Sequence, residues 1–134
     1  MVTVKRLAPP FSLVFVMDPS TRDIPQGRVA PILANQSCIS IGCLAEIDGE
    51  TEIRLGWDDE VDPGTPPAFV GTLETPTRVV SVRTAEDMEI LSLRIDRPEA
   101  RVRVWTNHQN EPDLVIIGVS GTRGREDGTT SGYA

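Results

Sequence analysis

The only histidine of the chain, His108, lies in the run Thr106-Asn107-His108-Gln109-Asn110-Glu111-Pro112-Asp113, a polar connection between two apolar stretches. Any Ser-His-Asp or Cys-His arrangement has to use it. No serine near it sits in a G-x-S-x-G turn, and neither cysteine, Cys38 nor Cys43, carries a nucleophile motif. The phosphate-cradling and dinucleotide glycine patterns are missing, as is the H-E-x-x-H zinc pattern. His108 therefore reads as part of a solvated loop, the alternative being a small enzyme that uses it with loop carboxylates. Paired carboxylates alone can hydrolyse glycosides, but three Phe, two Trp and one Tyr leave little to grip a sugar.

Four carboxylates, Asp58, Asp59, Glu60 and Asp62, fall within five positions, and no Lys or Arg stands between Arg54 and Arg78. Hard oxygen donors at this density suit calcium. An EF-hand loop starting at Asp58, however, would put Pro63 where glycine belongs and Phe69 where glutamate belongs. What remains is an acidic turn that is either solvated or docks a basic partner. Of the basic residues all but Lys5 are arginine. Arg101, Arg103 and Trp105 share one face of a strand, opposite Val102, Val104 and Thr106. On such a face arginine stacks on tryptophan or pairs with surplus carboxylates. Asp58, Asp59, Glu60, Asp62, Arg101, Arg103, Trp105 and His108 are the candidate partner-binding residues. No cofactor or metal is expected.

These residues have to be held by a chain of 134 residues carrying 13 Lys+Arg against 20 Asp+Glu, a net charge of −7. That length supports one domain, with about two-thirds of the unfolded surface buried. The acidity argues against direct nucleic-acid binding and against anionic membranes. The longest apolar run, Leu13 to Met17, is far short of the roughly 20 residues a membrane helix needs.

Alternation, β-branched runs and turn residues predict an all-β fold, an antiparallel sandwich of eight or nine strands. The expected strands are Phe11–Val16, Arg28–Leu33, Cys38–Ile47, Thr51–Trp57, Ala68–Leu73, Arg78–Arg83, Glu89–Ile95, Arg101–Thr106 and Leu114–Val119. Leu114–Val119 is apolar on both faces, which suits a central or covered strand. A three-residue loop, Asp48-Gly49-Glu50, would pair Ala45 with Ile53, Cys43 with Leu55 and Ile41 with Trp57. The alternative two-residue loop sets the apolar residues opposite charges. Trp57 is therefore expected in the core. Cys38 and Cys43 fall on opposite faces of one strand, about 17 Å apart. They should remain unpaired thiols, which suits a cytoplasmic protein. Residues 120–134 hold glycine, threonine and cancelling charges with no large aliphatic side chain, so they read as a flexible tail on a domain spanning 1–119.

Several strings fit a known order of elements: Phe11-Ser12-Leu13-Val14-Phe15, Gln26-Gly27, Ile39-Ser40-Ile41-Gly42, Arg78-Val79-Val80-Ser81-Val82, Trp105-Thr106 and Val115-Ile116-Ile117-Gly118-Val119. In that order the chain is similar to the competence protein J family of small acidic β proteins, one of which inhibits a DNA-uptake nuclease. Residues 60–67 and the glycine-rich tail have no counterpart there, and no functional residue carries over. The resemblance implies an acidic protein-binding module, an inhibitor or immunity-type partner of a basic protein such as a nuclease. The alternatives are the small enzyme above and a structural, self-associating β protein. The oligomeric state is not encoded in any feature of the sequence.

Overall fold

The structure, a computed structural model, describes residues 2–25 and 30–120. Among the described residues, ten strands form two five-stranded sheets packed face to face. They are β1 Thr3–Leu7, β2 Leu13–Met17, β3 Ile32–Ala34, β4 Cys38–Gly42, β5 Thr51–Trp57, β6 Phe69–Glu74, β7 Val79–Thr84, β8 Glu89–Arg94, β9 Glu99–Thr106 and β10 Leu114–Val119. One sheet has the order β1-β5-β10-β9-β6, the other β3-β4-β2-β7-β8. A four-residue helix, α1 Asp58–Val61, follows β5, and single 3-10 turns occupy Pro10–Ser12 and Glu46–Asp48.

The all-β sandwich stands, with changes of detail that have physical causes. β10 is central, as its two apolar faces require, yet it runs parallel to β5 and antiparallel to β9. The first sheet is therefore mixed. β1 escapes the alternation test because Lys5 and Arg6 interrupt it, and an edge strand tolerates such charges. Residues 26–29, which include the first two positions of the expected Arg28–Leu33 strand, lie outside the described residues, as does the expected tail beyond Ser120.

The expected hairpin at Asp48-Gly49-Glu50 is absent. The strand beginning at Cys38 stops at Gly42, and residues 43–50 arch from one sheet to the other, so β4 pairs with β2 and β3 while β5 pairs with β1 and β10. Ile41, Cys43, Ile53, Leu55 and Trp57 nevertheless share one buried cluster. Alternation states which residues share a face, and two strands facing each other across a sandwich satisfy it as well as two strands paired in a ladder. Ile47 shows the difference: no longer part of a strand, it is 91% exposed.

The core between the sheets is built from Val14, Val16, Ile39, Ile41, Ile53, Leu55, Val80, Val82, Val102, Val104, Val115 and Ile117, among others. A second cluster, Phe15, Met17 and Cys38, lies on the outer face of the β4 sheet. Cys38 and Cys43 are free, buried thiols on opposite sides of that sheet. Burial pushes the Cys43 thiol up to about 12. Burial, reinforced by the nearby Asp23 charge, does the same for Cys38. Neither is a nucleophile at neutral pH. Among the described residues no helix is long and apolar enough to cross a membrane.

Candidate functional site

The strand registers decide which loops meet. β1 ends where β5 begins (Leu7 opposite Thr51), β10 begins beside them, and β9 ends opposite β10. In the other sheet Leu13 lies opposite Gly42 and Val14 opposite Thr84. Residues 8–12, 43–50, 85–88 and 107–113 therefore gather at one end of the sandwich. Short bonds tie three of these loops together: Cys43 N–H to the Ser12 carbonyl (2.8 Å), Leu44 N–H to the Pro112 carbonyl (2.9 Å), and Phe11 N–H to Glu46 Oε2 (2.8 Å).

This end carries exposed carboxylates at Glu46, Asp48, Glu50, Glu86, Asp87, Glu111 and Asp113, and its four loops contain no lysine or arginine. Arg83 reaches in from β7 and pairs with Asp87 at 2.9 Å. At the opposite end, residues 18–25, 35–37, 75–78 and 95–98 balance, with Asp18, Asp23 and Asp96 against Arg22, Arg78 and Arg97, while α1, which starts there after Trp57, adds Asp58, Asp59 and Glu60, followed by Asp62. Three large apolar side chains are exposed at the acidic end, Phe11 (63%), Ile47 (91%) and Met88 (61%). Phe11 and Ser12 both take left-handed backbone (φ 60° and 59°), a conformation that costs a non-glycine residue about 1–2 kcal/mol. Two adjoining clefts of about 410 and 260 Å³ open here and share Pro31 and Gly42 in their walls.

The sequence-predicted residues divide between two places. Asp58, Asp59 and Glu60 form the first turn of α1, and Asp62 follows it. Arg103 Nη2 lies 3.4 Å from Asp58 Oδ2 and 3.3 Å from Asp62 Oδ2, with its guanidinium 4.8 Å over the Trp105 ring. Trp105 is 3% exposed, packed with Val61 and Ile116, and its indole N–H donates to the Thr65 carbonyl at 2.8 Å. The positive charge that a calcium loop would have sought is thus supplied by Arg103. Gly118 permits the close approach: a Cβ there would sit 3.0 Å from Asp58 Cα and from Trp105 Cζ3. Asp58, Asp62, Arg103 and Trp105 form one clasp that holds α1 on the outer face of the mixed sheet. Asp59 is exposed on its far side, and Arg101 stands exposed further along β9.

His108 belongs to the acidic end instead. Its Nδ1 accepts the backbone N–H groups of Asn110 (3.1 Å) and Glu111 (2.9 Å), which fixes the loop's turn. Asn107 closes the same loop, its Oδ1 accepting from Asp113 N–H and Leu114 N–H and its Nδ2 donating to Asp113 Oδ1. The cleft walled by His108 is also lined by Thr106 and Gln109, with no Asp or Glu among its described lining residues. Sequence reasoning missed Phe11, Ile47, Met88 and the loop carboxylates. One local signal was available, the exposed-looking Glu46-Ile47-Asp48 between turn residues.

Fold and site together define a two-sheet β-sandwich with an acidic loop end. No family model and no curated protein matches the chain. Among solved structures it is similar to "Crocagin biosynthetic gene J", at 12% sequence identity and a TM-score of 0.51, with 91% of this chain and 96% of that one covered. At that identity the likeness is one of fold.

Proposed function

We propose that the chain is a non-catalytic acidic binding module, an inhibitor or immunity-type partner of a basic protein. The observation that carries this reading is a concentration of charge: four loops gathered at one end hold seven exposed carboxylates, and no lysine or arginine falls in those loops, whereas Asp58 and Asp62 at the other end are met by Arg103. Like charge gathered on one surface is tolerated in folding and accelerates encounter with an oppositely charged partner. Nucleases fit the description of the partner, because a cleft that binds phosphates is basic. The similarity to the competence protein J family in the order of apolar strings points the same way. The α1 clasp is structural in this reading, since Arg103 already answers Asp58 and Asp62.

The test is retention of purified proteins graded in isoelectric point on the immobilised chain. Basic proteins should be retained at low salt and released as salt rises, with acidic proteins passing through. Retention without regard to charge, or none at low salt, would overturn the reading.

A further inference from the structure

We infer that the paired clefts at the acidic end, with Phe11 and Ile47 beside them, form the face that seats the partner, and that this partner is a basic protein surface carrying apolar side chains. The inference rests on the proposed function and adds the surface and the second half of the recognition chemistry. Apolar walls come from both sheets and from the loops: Leu13, Pro31 and Ala45 line one cleft, Ile32, Phe69 and Pro112 the other. Phe11 precedes Ser12 of the first wall, and Ile47 follows Ala45 by two residues. Three of the six large apolar side chains exposed on the described surface, Phe11, Ile47 and Met88, stand at this end. Scattered apolar residues need no explanation. A groove flanked by them and rimmed, among the described residues, mainly by carboxylates has the anatomy of an interface, an apolar centre within a polar rim.

Charge selects the occupant. A second copy would bring Glu46, Asp48, Glu50 and Glu111 against their own like, and an anionic membrane would meet the same repulsion. A cationic protein surface complements the rim, and its apolar side chains fill the clefts. Holding Phe11 and Ser12 in left-handed backbone serves that arrangement. The strained pair is fastened by Glu46 and by Cys43 N–H, and it presents the phenyl ring outward. Strain retained by surrounding bonds is a feature of ligand-contacting segments.

The experiment uses the full chain, labelled with nitrogen-15, and two synthetic probes of equal charge: a helical peptide with lysine on one face and leucine on the other, and its serine-for-leucine counterpart. The leucine probe should bind several-fold tighter, with amide shifts concentrated in residues 8–12, 43–50 and 107–113. The combined variant Glu46→Gln, Asp48→Asn, Glu50→Gln and Glu111→Gln should lose roughly tenfold in affinity at low salt. Phe11→Asn with Ile47→Asn should erase the preference for leucine, asparagine being chosen because it tolerates left-handed backbone. Asp59→Asn should bind as wild type. Salt-dependent binding whose shifts centre on residues 58–68, or equal affinity for the two probes, overturns the assignment of this face and leaves the proposed function standing. Failure of both probes to bind at low salt overturns both. The mapping on the unaltered chain holds whether or not a given variant folds.

Discussion

Two buried polar side chains show how single residues set stability here. Asp18 is 0% exposed, and its carboxylate accepts the N–H and hydroxyl of Ser20 (2.8 and 2.7 Å) and of Thr77 (2.7 and 2.8 Å). It thereby fastens the end of β2 to the approach to β7. Burial alone pushes the carboxyl up, but these four bonds outweigh it and hold the group below the ordinary carboxylate value. A depressed folded-state value gives stability that is complete above the ordinary carboxylate range and lost as pH falls through the lowered one. Asp18→Asn should cost about 2–3 kcal/mol at neutral pH. It should also flatten the acid limb of a stability-versus-pH curve, and an unchanged limb would contradict this role. Thr51 is the opposite case. Its hydroxyl is buried without a hydrogen-bond partner among the described residues, at the first position of β5. Thr51→Val keeps the shape and removes the unmet group, so denaturant unfolding should show a gain of about 1 kcal/mol; a loss would mean that the hydroxyl has a partner in solution.

At the scale of elements, the strands whose apolar pattern is uninterrupted were legible to the residue: Thr51–Trp57 and Leu114–Val119 appear with the boundaries their composition implies. What alternation could not settle was partnership. The 43–50 arch and the hairpin that the sequence suggests bury the same side chains, and only the order of strands in the sheets tells them apart. The stacking of Arg103 on Trp105 follows from their two-residue spacing, whereas its pairing with Asp58 and Asp62 depends on α1 folding back over β10. The clasp can be tested through Gly118. A methyl group there meets Asp58 and Trp105 at 3.0 Å, and the short peripheral helix is the part free to yield. Gly118→Ala should cost about 1–2 kcal/mol. In a Trp57→Phe background it should shift Trp105 emission to the red as α1 lifts. Unchanged stability and emission would show that the helix accommodates the methyl without moving.

Across the whole molecule, the −7 net charge was readable from composition, but its placement was not. The acidic end is assembled from four loops spread between residues 8 and 113, and the strand registers alone bring them together. The densest run in the sequence, Asp58 to Asp62, proved to be the one with an arginine set against it, so local charge density pointed away from the surface where carboxylates accumulate. Long-range attraction between that end and a cationic partner should be screened over about 10 Å at 0.1 M salt. The measurement that bears most directly on the account is therefore the slope of log affinity against log salt for the lysine–leucine probe, compared between wild type and the variant neutralised at Glu46, Asp48, Glu50 and Glu111. The account predicts a steep negative slope for wild type and a clearly shallower one for the variant, with the two affinities converging at high salt. Parallel slopes would contradict it.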